Sequence, residues 1–286
     1  MTVLHERATL ATLTGWHIAL ELTGRCQLAC THCYAESGPA ASHGTMTGDD
    51  WCHLISEAAV LGARVQYIGG EPTLHPQFER ILTHTTELGV PVEVFTNLYR
   101  IRESWWELLS RSGVSLATSY YSDKPGEHAQ ITGRADGYAR TRTNIVRAVG
   151  LGIPVRASIV QVLPGQRVEQ ARGELEALGV TGIRLDELRG IGRGRLGGQA
   201  DPSQLCGRCG DHRVAVSPTG HVTPCVMARW MVAGDVQAEP LSRIVAGSTW
   251  REWLVQVPAR ARVCAPECAP SADSNDCAPA DQVDGE

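Results

Sequence analysis

Between residues 16 and 188 short apolar runs alternate with helical patterns, and this alternation restricts the chain to few folds. The runs are WHIALEL (16–22), RVQYIGG (64–70), PVEVFTN (91–97), VSLATSYY (114–121), PVRASIVQVL (154–163) and GIRLDEL (182–188), and a helical pattern follows each but the last. Repeated strand–helix units predict a parallel sheet with helices on its outer face. Six units are too few to close an eight-stranded barrel, so the expected class is α/β with a partial (β/α)6 barrel. The first helix is expected to open at Thr47, where T-x-x-D forms a capping pattern, and to run to about Leu61. Reactive groups in such a fold belong in the loops at the C-terminal strand ends.

The loop after the first strand reads GRCQLACTHCY (24–34) and brings Cys26, Cys30 and Cys33 close together. Six further cysteines fall late in the chain: Cys206, Cys209, Cys225, Cys264, Cys268 and Cys277. Cys52 stands apart in an amphipathic helix and is expected to be a small buried apolar residue. The 286 residues contain no run of about 18 apolar residues that could span a membrane. The start of the chain lacks the basic stretch and apolar core of a secretory signal. The expected location is therefore the cytoplasm, where thiols stay reduced and grouped cysteines serve metals or chemistry rather than disulfides. No basic face points to nucleic acid. Six acidic residues after 265 outweigh the whole net charge of −5, and the tail APSADSNDCAPADQVDGE (269–286) is expected to stay largely disordered unless Cys277 ties it down.

Four thiolates would saturate a four-iron cluster, whereas three leave one iron open to another ligand. A zinc site completed by His32 or another residue is the competing reading. The C-x3-C-x2-C spacing, with GGEP (69–72) at the end of the second strand, resembles the radical S-adenosylmethionine (radical SAM) enzymes over residues 16 to about 188. That resemblance implies a [4Fe–4S] cluster on Cys26, Cys30 and Cys33, with the open iron chelated by S-adenosylmethionine. It assigns Gly69, Gly70 and Glu71 to the cofactor's amino group. It places His32, at a position usually aromatic in the family, close to the adenine, and Ser119 at the ribose. The implied chemistry is reductive cleavage to methionine and a 5′-deoxyadenosyl radical, which takes a hydrogen atom from an unactivated C–H bond. A reductase, flavodoxin or ferredoxin is the implied electron donor.

RGIGRGRLGGQADPSQ (189–204) reads as a linker. The expected domains are a barrel over 1–190, a Gly-rich linker over 191–204 and a small cysteine-rich iron–sulfur domain over 205–286. A segment with six cysteines and little regular pattern needs a metal core to fold. CGDHRVAVSPTGHVTPC (209–225) reads as a strand, a turn and a strand. It resembles the SPASM/twitch extensions of radical SAM enzymes, which implies one auxiliary [4Fe–4S] cluster on Cys206, Cys209, Cys225 and Cys268. The later cysteines are fewer than in a full SPASM domain, and a zinc ribbon is the competing reading for this group. Cys264 and Cys277 are then spare. Cys264 is the favoured hydrogen-atom donor, with Cys268 and Cys277 as alternatives. The overall outline resembles compact actinobacterial radical SAM epimerases such as neomycin C epimerase, which implies epimerisation of a sugar carbon in a small aminoglycoside-like substrate. Maturation of a ribosomal peptide, by cross-linking or epimerisation, is the alternative. The 25 residues before Cys26 are too few for a winged-helix leader-binding domain, which argues against that alternative. Tyr120, Tyr121, Asp123 and Glu187 sit at predicted strand ends as candidates to line the pocket.

Overall fold

A computed structural model describes residues 14–258, apart from 196 and 198. Cys264, Cys268 and Cys277, and with them the expected hydrogen donor, the fourth auxiliary ligand and the acidic tail, lie outside the described residues. The strands are β1 (His17–Thr23), β2 (Arg64–Gly69), β3 (Val92–Phe95), β4 (Val114–Tyr120), β5 (Val155–Gln161), β6 (Gly182–Glu187), β7 (Arg213–Val216), β8 (His221–Thr223) and β9 (Gly234–Asp235). They form one sheet in the order β6-β5-β4-β3-β2-β1-β7-β8-β9. All pairings from β6 to β7 are parallel, and β8 and β9 add antiparallel.

The central strands are buried on both faces because their side chains alternate between two different cores. Ile18, Leu20 and Leu22 of β1 pack with Val65 and Tyr67 of β2 into the large core under the helices. Ala19, on the opposite face, joins Ile68 and Ala215 in a second apolar cluster. Glu93 accepts from Gln66 Nε2 at 2.6 Å and from Arg156 Nε and Nη2, both at 2.6 Å.

The helices are α1 (Gly48–Val60), α2 (Phe78–Glu87), α3 (Trp105–Leu109), α4 (Pro125–Thr132), α5 (Gly137–Gly150), α6 (Val168–Ala177), α7 (Leu241–Ala246) and α8 (Ser248–Gln256). The capping box of α1 forms as expected. Thr47 Oγ1 accepts from Asp50 N at 3.2 Å, and Asp50 Oδ2 accepts from Thr47 N at 2.8 Å. The sequence pattern gave no warning of α4, a short helix with Pro125 in its first turn and Gly133 as its left-handed C-cap. Cys52 is half-buried rather than buried, and packs at the edge of the main core.

The expected division near residue 190 does not interrupt the sheet. β7, at the start of the cysteine-rich segment, pairs with β1 through His17–Arg213 and Leu20–Val216. The first strand of the chain therefore lies between β2 and a strand made almost 200 residues later.

Candidate active site

One cavity at the C-terminal strand ends is lined by Cys26, Cys30, Cys33, Gly69, Gly70, His32 and Ser119. Seven of the residues predicted for cofactor and cluster thus converge on one space. The loop that carries the cysteines leaves β1 and is fastened from below by α4. Ala29 N donates to Thr132 O at 3.1 Å and Thr31 N to Ile131 O at 3.0 Å. Gly70 needs its missing side chain: a Cβ there would lie 2.3 Å from Arg25 O, and Gly70 N donates to Thr23 O at 2.7 Å.

Glu71, predicted for the same amino group as Gly69 and Gly70, is not among the residues that line the cavity. Its carboxylate is buried and turned back on the protein. Oε1 accepts from Thr73 N, Thr73 Oγ1 and Thr96 Oγ1 at 3.2, 2.6 and 2.7 Å, and Oε2 accepts from Asn97 N at 2.8 Å. Burial raises its pKa, and these donors oppose the rise. Glu71 therefore fixes the turn that presents Gly69 and Gly70.

Asn97 was missed by sequence reading, and it lines the cavity. Its Nδ2 donates to Cys26 Sγ at 3.6 Å, and its Oδ1 accepts from Gln27 Nε2 at 3.0 Å and from Tyr99 N at 2.9 Å. The next residue, Leu98, has φ +52°, an unfavourable backbone for a branched side chain. The turn is held by Thr141 Oγ1 donating to Asn97 O and Asn144 Nδ2 to Leu98 O, at 2.8 and 2.7 Å.

The predicted Gly-rich linker is also part of the site. Ile191 and Arg193 line the cavity. Arg193 donates from its main chain to Cys33 O at 3.0 Å, from Nε to Cys30 O at 2.8 Å and from Nη2 to Ser37 O at 2.8 Å. Gly192, at φ +56°, lies so close that a Cβ would be 2.3 Å from Tyr34 O. The segment is a strap over the cysteine loop. Its only sequence signal is the alternating Gly and Arg, which resembles any polar linker. Of the strand-end candidates, Tyr121 and Glu187 line the cavity. Tyr120 instead donates to Glu174 at 2.7 Å, and Asp123 accepts from Arg167 at 2.7 and 2.9 Å.

The donor set suits an iron–sulfur cluster and a bound cofactor. Backbone and amide N–H groups point at sulfur: Leu28 N at 3.4 Å from Cys26 Sγ, and Met227 N at 3.2 Å from Cys225 Sγ. Among the described residues, no three His, Cys, Asp or Glu side chains are drawn together as ligands of a single ion. A four-iron cluster asks for wider spacing, since each thiolate binds a different iron. His32 Nδ1 is buried without a hydrogen-bond partner, while Nε2 lies 3.3 Å from Tyr121 Oη. A ligand in the cavity could satisfy that orphan nitrogen. Burial pushes the Cys26 thiol upward and Cys30 up to about 12, so ligation would displace protons from both.

The cysteines of the second group do not line this cavity, though their neighbours Met227 and Arg189 do. Cys206 and Cys209 are buried, and Cys209 packs with Leu205, Val226, Met227 and Met231. A thiol–thiol hydrogen bond joins Cys209 to Cys225, raising the first, together with burial, and lowering the second. Arg189, at the root of the strap, adds a cation beside Cys206 and Cys225.

The model of the Radical SAM superfamily matches residues 20–178, so the chain belongs to that superfamily. A second model, the SPASM iron–sulfur cluster-binding domain, matches residues 206–269. A radical SAM [4Fe–4S] cluster, an auxiliary iron–sulfur cluster and S-adenosylmethionine come with these domains. The sporulation killing factor maturation protein SkfB of Bacillus subtilis is 28% identical over 153 residues, covering 53% of this chain and 37% of SkfB. A PqqA peptide cyclase of Rhodopseudomonas palustris is 28% identical over 140 residues, covering 48% of this chain and 36% of the cyclase. The chain thus spans well under half the length of these curated relatives. The fold is also that of Streptococcus suis SuiB bound to its precursor peptide SuiA, with TM-score 0.72 and 12% identity over 92% of this chain and 70% of SuiB. Among the described residues no helix is long and apolar enough to cross a membrane.

Proposed function

We propose that this chain is a radical SAM enzyme that modifies a ribosomally made peptide. The observation that carries the reading is the convergence of three cysteines and the Gly69–Gly70 turn on a single cavity. Cys26, Cys30 and Cys33 would hold the cluster, and the peptide backbone at Gly69–Gly70 would receive the cofactor's amino group. His32, Ser119 and Tyr121 would line its nucleoside end. When bound, the pair supplies one-electron cleavage of the cofactor and removal of a substrate hydrogen atom. The residues of this chain hold that pair in a partly enclosed space and limit water around it. Cys206, Cys209 and Cys225, with Cys268, would hold the auxiliary cluster.

The choice of a peptide over a sugar rests on the relatives, which include a peptide cyclase and a precursor-peptide complex. None of the relatives named above is a sugar epimerase by name. The test is anaerobic reconstitution with S-adenosylmethionine, dithionite and the candidate precursor peptide. Release of 5′-deoxyadenosine with a peptide product lacking two hydrogens supports cross-linking. An unchanged peptide mass with one deuterium gained in D2O supports epimerisation through a thiol such as Cys264. Turnover of an aminoglycoside but not of peptide would overturn the choice of substrate.

A further inference from the structure

Beside the cavity, the cysteine loop makes a further apolar contact. There Cys26, Leu28 and Tyr99 form a small apolar cluster of their own, with Cys30 against it. Tyr99 is 7% exposed, so its ring is the outer wall of the loop at this point. Two guanidinium groups lie on that ring, Arg134 at 5.3 Å and Arg140 at 4.9 Å from its centroid. Their side chains are 47% and 51% exposed. Arg134 Nη2 also donates to Tyr99 Oη at 2.8 Å. Arg100, next in the chain, is exposed as well. Asp136 is the acid within this group, accepting from Arg140 at 2.6 Å and from Tyr99 Oη at 2.8 Å. Around the ring, two cations against one anion leave the patch positive in a chain whose net charge is −5.

We propose that this arginine-capped tyrosine is the docking face for an acidic one-electron carrier protein of the flavodoxin class. The inference rests on the function proposed above, which requires an electron to reach the cluster from outside. Electron transfer favours a short path, and here the Tyr99 ring packs in one cluster with Cys26 and carries two half-exposed guanidinium groups. The cavity side is reserved for cofactor and substrate and is covered by the strap. Charge selects the carrier: a positive patch steers a negative partner and fixes its orientation without demanding a large interface. The step balances with one electron. The hydroquinone of the carrier's flavin becomes the semiquinone, and the cluster passes from its 2+ to its 1+ state.

The test compares two reductants on the reconstituted full-length protein. One is an acidic flavodoxin kept reduced by NADPH and its reductase; the other is dithionite, which needs no docking. Arg134→Glu combined with Arg140→Glu is expected to weaken flavodoxin binding, measured directly, by about tenfold and to flatten its salt dependence. Flavodoxin-driven reduction of the cluster, followed by electron paramagnetic resonance, should slow by a similar factor. Dithionite-driven reduction and iron content should not change. Arg100→Glu, outside the stacked pair, should show a smaller effect of the same sign if the double variant folds poorly. Equal losses with both reductants would overturn the proposal, as would no loss with either. A raised KM for the precursor peptide under dithionite would assign the patch to the substrate instead. If the wild-type protein releases no 5′-deoxyadenosine even with dithionite, the proposed function fails, while the binding measurement still reports on docking.

Discussion

The two cysteine groups differ in what surrounds them. Cys26, Cys30 and Cys33 stand at strand ends, face a cavity and are backed by glycine, amide and hydroxyl groups. Cys206 and Cys209 are buried beside Leu205, Val226, Met227 and Met231 and do not themselves line that cavity, although Met227 does. An open metal position is useful only where a ligand can reach it, and an enclosed cluster is protected from solvent. The contrast fits a reactive centre at the first group and a closed one at the second.

The strongest way to break this contrast is to remove one ligand from each group. Cys30→Ala is expected to abolish 5′-deoxyadenosine release and to remove about half the iron. Cys209→Ala is expected to lose a similar share of iron but to retain cofactor cleavage under dithionite. If both variants lose cleavage equally, the two centres are not functionally distinct. A smaller effect should come from the strap. Arg193→Gln deletes the bonds to Cys30 O and Ser37 O and should cost about 10–100-fold in cluster retention or cleavage rate. Iron chelation kinetics would show whether the loss is confined to the open site. Gly70→Ala tests the loop geometry alone. Its Cβ would lie 2.3 Å from Arg25 O, and overpacking of this kind costs about 1–3 kcal/mol. Thermal melting and S-adenosylmethionine binding should fall together.

The mildest test is pH. His32 and His128 line the open site and His75 follows the Gly69–Gly70 turn, and burial, the leading cause for each, lowers all three pKa values to about 4 from the usual 6.5. Their unfolded forms bind protons first as pH falls, so their contribution is complete above about 6.5 and is lost progressively toward 4. Buried Glu71, whose pKa is raised, works in the opposite direction. Melting curves between these limits should show acid weakening, and His128→Gln should reduce its slope.

Much of the barrel was legible because its signals are local. Alternating apolar runs, the Thr47–Asp50 cap and the C-x3-C-x2-C and GGEP spacings each lie within a few residues of one another. What escaped was made by distance. Nothing near Glu71 announces that Thr96 and Asn97 will surround its carboxylate. Nothing in GIGRG shows that Arg193 will reach carbonyls some 160 residues earlier, because a Gly-rich strap and a solvated linker have the same composition. The pairing of β7 with β1 was invisible for the same reason: the antiparallel hairpin of β7 and β8 reads locally, but its neighbour does not.

That last pairing has a consequence for biogenesis. While the ribosome is still making the middle of the chain, β1 has only β2 beside it and the cysteine loop lacks its Arg193 clasp. The reactive centre therefore cannot take its final shape until translation has passed residue 216. Iron–sulfur delivery to the first three cysteines is best timed after β7 has been made, although they emerge well before it.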